Sequence, residues 1–449
     1  MADLEAETTE LLSQLIRNAC VNDGTPDSGH ESVSADLLGA YLDVPGLELA
    51  RFEPHPGRAS LLARFEGADP AAPTLMLMGH TDVVPANPHG WLRDPFGGEV
   101  VGGEVWGRGA VDMLSLTASM AVALRQLATG EIRHPGTVLY LAVADEEAGG
   151  RLGAGWLARH HADAVRCDYL VTEPGLFRMP LEPLAPAGPP RLPVTVAEKG
   201  AYWCTLRVWG TPGHGARPHR TDNAVVKAAE VVARLAAYRP EAHITPVWRR
   251  FVEALGQSPE DTAELLDPQR IGGVAERHGL APWAGMAHAC THTSIAPTVI
   301  RGGVKRNVIP DSAEIQLDIR VLPGHGGGEV KAMFRDALGE LWDSVEVTAD
   351  FDDPPSESPT DSRLWDALGR VTSVLEPGST LVPFLAAGQS DARFFRAMGT
   401  VAYGFGLYSD RLSFADFATM AHGDNERIDT GSLRRSAELW PLLIRELLG

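Results

Sequence analysis

The stretch TLMLMGHTDVVP at residues 74–85 joins an apolar run, typical of a buried strand, to a histidine and an aspartate at the point where that strand should end. Four more polar clusters follow or end short apolar runs in the same way: VDM at 111–113, DEE at 145–147, TEPG at 172–175 and AHGDNER at 421–427. Strand ends are where an open α/β sheet builds its sites. The five clusters together contain the histidines and carboxylates that a two-metal hydrolase needs.

The bulk properties predict two domains and a small substrate. A chain of 449 residues with 44% hydrophobic content is too long for one compact core of the commonest size. The formal charge of −20 disfavours nucleic acid and anionic membranes as partners, because both would repel an acidic surface. A small charged metabolite remains compatible with this charge.

The N-terminus and the cysteines indicate a cytoplasmic protein. Residues 1–20 are acidic and helix-periodic, without the basic start and apolar stretch of a signal peptide, and no apolar run reaches membrane-spanning length. The four cysteines are far apart and form no CxxC pair, so we expect buried, reduced thiols.

The first part of the chain, residues 1–198, has a βαβ rhythm. Helices are predicted at 6–19, 32–46, 114–129 and 152–161, and strands at 60–66, 74–80, 137–145 and 168–173. Such alternation predicts an α/β fold with a mainly parallel sheet and helices on both faces. The Pro-rich stretch at 180–193 is predicted to be a linker or excursion that cannot pair as a central strand.

Residues 199–353 have a different pattern and predict a compact inserted α+β domain. Strands are predicted at 202–210, 313–323 and 345–351, and helices at 223–238 and 329–342. Two helices against an antiparallel sheet account for this order. Residues 240–295 have weak periodicity and are treated as an enlarged insertion, while 354–449 are expected to complete the first domain.

The first candidate site residues are His80, Asp82 and Asp112. His80 and Asp82 are two apart at a strand end, so both can point to one face, His80 towards a metal and Asp82 towards the back of its imidazole. A surface turn is the alternative. Asp112 follows a Gly-containing stretch at the start of a helix, where it could be an ordinary helix cap or a carboxylate that bridges two cations.

Glu146 and Glu147 are adjacent acids after a buried strand. That placement is unfavourable unless a cation compensates them, although a solvated acidic turn remains possible. One would be a metal ligand and the other a base over a metal-bound water. Glu173 and His422 complete the set, and each would be more often structural if it stood alone.

These motifs resemble those of the dinuclear zinc amidohydrolases and peptidases that include acetylornithine deacetylase, succinyl-diaminopimelate desuccinylase, aminoacylase and carnosinase-like dipeptidases. The resemblance covers about residues 79–427 and implies that the inserted domain at 199–353 is a lid and dimerisation domain. It implies two metal sites, one held by His80, Asp112 and Glu173 and the other by Asp112, Glu147 and His422. It also implies that Glu146 is the general base and that Asp82 orients His80. The relatives often have a Lys where this chain has Leu114, which removes any charge role at that position.

The resemblance also implies a set of substrate-binding residues. His214, in the stretch TPGHGARPH, would stabilise the oxyanion, often across the dimer interface, and a turn histidine without a role is the alternative. Asn307 and Arg320 would grip a substrate carboxylate, although Arg320 could instead be a surface ion-pair partner. Gly388, Ser390 and Asp391 would line the pocket, unless Asp391 only caps a helix.

The predicted function is therefore hydrolysis of an amide bond in a dipeptide, a short peptide or an N-acyl amino acid with a free carboxylate, by a water that two metals and a Glu base activate. Zinc is the expected metal, with cobalt or manganese as alternatives, and a homodimer through the inserted domain is expected. The stretches EKGAYW and PTVIRGG favour the peptidase and aminoacylase branch. A dedicated deacylase of the acetylornithine type and a noncatalytic metal- or ligand-binding protein are the other hypotheses.

Overall fold

The computed structural model describes residues 3–130, 134–175, 190–278 and 281–449. The helices are α1 (Leu4–Arg17), α2 (Ser32–Leu42), α3 (Leu114–Thr129), α4 (Ala154–His160), α5 (Ala162–Val165), α6 (Ala224–Ala237), α7 (Pro246–Leu255), α8 (Pro259–Leu265), α9 (Ile271–Arg277), α10 (Ala281–Thr291), α11 (Gly327–Leu338), α12 (Arg363–Leu375), α13 (Ala392–Arg396), α14 (Phe414–Met420) and α15 (Thr430–Leu448). Glu146–Ala148 and Gly339–Ser344 form short 3₁₀ turns.

The strands are β1 (Leu47–His55), β2 (Arg58–Phe65), β3 (Thr74–His80), β4 (Glu99–Val101), β5 (Glu104–Trp106), β6 (Thr137–Val143), β7 (Tyr169–Thr172), β8 (Arg191–Glu198), β9 (Gly200–Trp209), β10 (Gly213–His214), β11 (Ser294–Gly302), β12 (Val308–Ile309), β13 (Ser312–Val321), β14 (Val345–Asp353), β15 (Ser356–Glu357), β16 (Thr380–Ala386), β17 (Val401–Gly404) and β18 (Arg427–Asp429).

The chain divides into two compact units. Unit 1 contains residues 1–196, 358–384 and 390–449, and unit 2 contains residues 197–357 and 385–389. Two of the four boundaries fall inside strands β8 and β16, one directly follows β15 and the last lies in the loop after β16.

The large sheet of unit 1 has a parallel centre. Seven of its strands lie in the order β1-β2-β6-β3-β7-β17-β8, and β15 and β16 both pair with β8. The three pairs among β6, β3, β7 and β17 are parallel, whereas the pairs on either side are antiparallel. The prediction of an α/β fold with a mainly parallel sheet is confirmed, and the antiparallel pairs are at its flanks.

Apolar composition explains why the central strands are buried on both faces. Every residue of β6 is buried, and so are six of the seven residues of β3. Helix α3 packs against β3 and β6, and its first eleven residues are all buried, because small and apolar side chains cover its whole circumference. A second core cluster joins Met76 and Leu139 to Leu157 of α4 and Phe395 of α13.

Unit 2 contains a four-stranded antiparallel sheet in the order β11-β13-β9-β14. Burial alternates along β9 and β13, which leaves one face for a core. Helices α6 and α11 fill that core with side chains such as Val231 and Phe334. The predicted pair of helices on an antiparallel sheet is confirmed.

The insertion at 240–295 contains four helices, α7 to α10, which its weak periodicity did not predict. Short helices of 7 to 11 residues repeat their apolar face too few times to give a clear period. Their starts nevertheless follow known rules. Thr245 and Ser258 are side-chain caps, and each is followed by a proline in the first turn.

Some sequence predictions need correction or lie outside the described residues. Strand β8 begins at Arg191, so the last residues of the predicted linker are part of a strand. Residues 180–189 of that stretch lie outside the described part of the chain. Among the strands of seven or more residues in the described part of the chain, β1, β8, β11 and β16 were not predicted. All four cysteines are buried and unpaired. Within the described residues, no helix has the length and apolarity needed to cross a bilayer, and the cytoplasmic location stays a prediction.

Candidate metal centre

Three neighbouring parallel strands carry candidate ligands at their carboxyl ends. His80 ends β3, Glu147 follows β6 and Glu173 follows β7, and β3 lies between the other two strands. Because parallel strands end at the same edge of a sheet, these side chains meet without help from a long loop.

Five of the predicted residues form two compact groups. His80, Asp112 and Glu173 form one group, and Asp112, Glu147 and His422 form the other. Within each group the ligand atoms lie within 4.8 Å of one another. The short distances are His80 Nε2 to Asp112 Oδ1 (3.3 Å) and to Glu173 Oε1 (3.5 Å), and His422 Nε2 to Asp112 Oδ2 (3.3 Å) and to Glu147 Oε2 (3.2 Å).

Asp112 presents a different oxygen to each group. Its Oδ1 faces His80 and its Oδ2 faces His422. The alternative role as a helix cap does not describe this residue, because the N-cap of α3 is Met113 and makes no side-chain cap bond. A carboxylate in this arrangement has the geometry required to bridge two cations.

Burial and crowding shift the protonation of the whole cluster. Burial raises the pKa of Glu146 well above its usual range, and the neighbouring Glu173 adds to the effect. Burial and then Asp112 raise the pKa of Glu173 to about 8. Hydrogen bonds to Asp112 and Glu147 raise the pKa of His422 to about 10. Carboxylates packed this closely repel one another unless positive charge compensates them.

The donor set fits divalent cations. Each group offers one imidazole nitrogen and two carboxylates, ligands that suit zinc and other first-row divalent metals. Glu147 Oε1 is buried and has no hydrogen-bond partner among the described residues. Since a buried polar atom normally has a partner, this oxygen is available for a cation.

Asp82 supports the centre through its backbone and its side chain. His80 Nδ1 lies 2.8 Å from the Asp82 carbonyl oxygen and 3.6 Å from its carboxylate Oδ1. The carboxylate accepts hydrogen bonds from the backbone N–H groups of Glu146 (3.2 Å) and Glu147 (3.1 Å). Asn22 also donates to it at 2.8 Å. Asp82 therefore contacts both the histidine and the turn that carries the two glutamates.

A buried ion-pair network, which the sequence did not indicate, lies behind that turn. Arg58 is 1% exposed and donates to both oxygens of Glu31 at 2.7 and 2.8 Å. It also donates to Asp145 Oδ1 at 2.8 Å. Asp145 immediately precedes Glu146 and accepts a hydrogen bond from Leu152 N. No motif marks Arg58 or Glu31, since their link depends on residues far apart in the chain.

Glu426 is another residue that the sequence interpretation missed. It lies in the stretch AHGDNER, four residues after His422, and is fully buried. Its carboxylate accepts hydrogen bonds from the segment that carries Asp112. The sequence signal that could have found Glu426 is its position as an acidic residue inside the motif already chosen for His422.

In unit 2, His214 and Asn307 lie close together, and Arg320 lies far from them. Strand β10, which ends at His214, pairs with β12, which follows Asn307. Arg320 is near the opposite end of β13, eight residues from Ser312, or about 27 Å along an extended strand. Arg320 donates to Asp318 at 2.8 and 3.2 Å.

The GQSDAR segment has both exposed and buried residues. Gly388 is exposed, whereas Ser390 and Asp391 are each 1% exposed. Asp391 is the N-cap residue of α13 but makes no side-chain cap bond. Its Oδ1 lies 3.6 Å from Arg393 Nη1, and burial raises its pKa to about 7.

The open α/β fold and the paired His and carboxylate groups define a metallohydrolase. Residues 76–446 match the model of peptidase family M20/M25/M40, and the chain belongs to that family. It is 25% identical to aminoacylase-1 of Mus musculus over 449 residues, covering 99% of this chain and 96% of the relative. It is 28% identical to the human N-fatty-acyl-amino acid synthase/hydrolase PM20D1 over 384 residues, covering 82% and 73%.

The fold is also similar to that of a solved structure, the M20 family metallo-carboxypeptidase Sso-CP2 of Sulfolobus solfataricus. The TM-score is 0.74 at 17% identity, with 98% of this chain and 99% of the other covered. This chain is therefore a hydrolytic enzyme of the peptidase and aminoacylase family.

Proposed function

We propose that the enzyme hydrolyses the amide bond of an N-acyl amino acid or a dipeptide that has a free carboxylate. The observation that carries this proposal is the division of the Asp112 oxygens between two ligand groups. His80, Asp112 and Glu173 would hold one divalent cation and Asp112, Glu147 and His422 a second, zinc being the expected metal. Such cations would supply Lewis-acid activation of a water molecule and of the scissile carbonyl.

The residues of the chain supply the proton transfer. Glu146 lies beside Glu147 on a turn that Asp82 holds through both backbone N–H groups. Glu146 accepts the proton of the attacking water and later delivers it to the leaving nitrogen. Burial, with the neighbouring Glu173 adding to it, raises the pKa of Glu146, and a carboxylate with a higher pKa is a stronger proton acceptor.

Residues outside the two ligand groups bind the substrate in this proposal. His214 donates to the oxyanion, and Asn307 and Arg320 hold the substrate carboxylate. Gly388, Ser390 and Asp391 form the remaining wall.

The positions of His214 and Arg320 support a homodimer. Arg320 lies near the end of β13 that is far from β12 and His214, so a small substrate is not expected to contact both residues of one subunit. In this proposal His214 and Asn307 act from one subunit and Arg320 acts from the other. Strand β11 is at the edge of the unit 2 sheet, and Ile300, Val226 and Val304 are 55%, 64% and 95% exposed. An open strand edge with apolar neighbours is a surface that a second copy of the chain would cover.

Acyl-amino acids are the preferred substrates because the sequence relatives described above are named as an aminoacylase and an N-fatty-acyl-amino acid synthase/hydrolase. The likeness to the carboxypeptidase Sso-CP2, at 17% identity, is one of fold. The test is an assay of N-acetyl amino acids, N-fatty-acyl amino acids and dipeptides with Zn²⁺, Co²⁺ or Mn²⁺, beside a chelator control. Chelator-sensitive hydrolysis of N-acyl amino acids is expected. Chelator-resistant turnover, or hydrolysis only of substrates without a carboxylate, would contradict the proposal.

A further inference from the structure

Glu426 is a fully buried carboxylate that accepts four hydrogen bonds from a single segment. Oε1 accepts from the backbone N–H groups of Val111 (2.7 Å) and Asp112 (3.0 Å). Oε2 accepts from Gly109 N and from Arg108 Nη1, both at 2.9 Å. The Glu426 carbonyl oxygen also accepts from Gly107 N at 3.0 Å.

Arg108 makes further hydrogen bonds between the segment of Asp112 and the loop of His422. It is 2% exposed, and its Nη2 donates to the carbonyl oxygens of His422 (3.3 Å) and Pro85 (3.4 Å). The pair therefore joins the segment of Asp112 to the loop of His422 at two points, the His422 carbonyl and Glu426, four residues later.

This connection spans the second ligand group. His422 lies in a loop between α14 and β18 and has a left-handed backbone, with φ of 59°. Asp112 lies just before α3. Their side chains approach to 3.3 Å, a separation that depends on how the two segments are held together. Charge-assisted hydrogen bonds are about twice as strong as neutral ones, so Glu426 is well suited to this task.

We propose that Glu426 and Arg108 form a clamp that holds Asp112 and His422 at the separation a divalent cation requires. They are positioning residues, since they act through the two ligands. The inference rests on the proposed metal centre and adds two residues that control how tightly the cation is bound.

The test is the affinity of the intact protein for Co²⁺, measured by competition with a chromophoric chelator. Glu426→Gln and Arg108→Met are each expected to weaken the less tightly bound equivalent by about 10- to 100-fold, the usual effect of removing a residue that orients a ligand. The double variant should lose about as much as either single one, because both changes break the same clamp.

Asp429→Asn is the matched control. Asp429 is fully buried, lies three residues after Glu426 and accepts hydrogen bonds from Ser409 Oγ and Ser432 N at 2.9 Å, away from Asp112. Its replacement should leave Co²⁺ affinity within about threefold. An equal loss in this control would mean general loosening of the fold and would overturn the clamp.

The remaining outcomes separate the two proposals. If the wild type binds two equivalents and Glu426→Gln binds them with unchanged affinity, the clamp is wrong and the proposed function stands. If the wild type binds no Co²⁺, both fail. Should Glu426→Gln not fold, Arg108→Lys gives the same test. Lysine keeps the positive charge of Arg108 but lacks the planar guanidinium group that donates to several acceptors at once, so an affinity loss of about tenfold or more is expected. Unchanged Co²⁺ affinity would refute the clamp.

Discussion

Asp112 Oδ2 lies 3.3 Å from Nε2 of His422, a residue near the other end of the chain. The other oxygen of the same carboxylate, Oδ1, faces His80. This sharing predicts that the two ligand groups respond differently to loss of one member.

Asp112→Ala should remove both metal equivalents, whereas His422→Ala should retain one, because only Asp112 belongs to both groups. Metal analysis after dialysis against a weak chelator measures the result. His160→Ala, an exposed histidine in the same unit, should keep two equivalents. Equal losses in the Asp112 and His422 variants would rule out a bridging carboxylate.

Glu146→Gln should lower kcat by at least about 10²- to 10⁴-fold, because the amide cannot accept the proton of the attacking water. Metal content should stay near that of the wild type, since Glu146 is in neither ligand group. Steady-state kinetics and elemental analysis on the same preparation check this. Loss of metal together with activity would contradict the assignment of Glu146 as the base.

A mixture of inactive variants should recover activity if the partner subunit's His214 completes the site. After subunit exchange between Glu146→Gln and His214→Ala, half of the dimers are mixed, and each mixed dimer has one intact site. Activity should therefore rise to about a quarter of the wild-type value. Each variant exchanged with itself is the control. Dimers that exchange, as shown by mass spectrometry, and stay inactive would refute the shared site.

Lys199→Met should alter how stability depends on pH. Lys199 is buried and donates to the His292 carbonyl oxygen at 2.8 Å, and burial lowers its pKa from 10.5 to about 8. Below pH 8 the amine is charged in both states and adds no pH dependence. Between pH 8 and 10.5 the folded state binds fewer protons than the unfolded state, so stability rises with pH.

Relative to Lys199→Met, the wild type should therefore gain stability over that range, by up to about 3 kcal/mol. Thermal unfolding of both proteins from pH 7 to 10 measures this gain. A constant difference in Tm across the range would exclude the lowered pKa as its source.

Arg58→Met should destabilise the protein by about 3–5 kcal/mol, because it leaves Glu31 and Asp145 buried without their cation. Urea unfolding followed by circular dichroism gives the free energy of unfolding. Arg166→Met is the control, since the Arg166 and Asp163 side chains are 69% and 103% exposed and should contribute little. A comparable loss in the control would mean that the buried network has no special role.

Most of the ligand set could be predicted because its signal is local. His80, Glu147 and Glu173 each end or follow an apolar strand, and adjacent parallel strands bring such positions together. No such strand precedes His422, and this residue was selected only because it lies in one of the five polar clusters. The helices of the insertion at 240–295 could not be predicted from the sequence, because the four that the structure describes there are too short to establish a period.

The amino-acid sequence by itself determined the α/β core, the antiparallel inserted unit and the residues that can bind metal, because apolar periodicity and strand-end polarity are properties of neighbouring residues. Tertiary structure alone decided which oxygen of Asp112 faces which histidine, that Arg58 joins Glu31 to Asp145, and that Glu426 receives four donors from residues 108–112. Each of these relationships joins groups distant in the chain, and its energy depends on excluding water around them, which only the folded protein does.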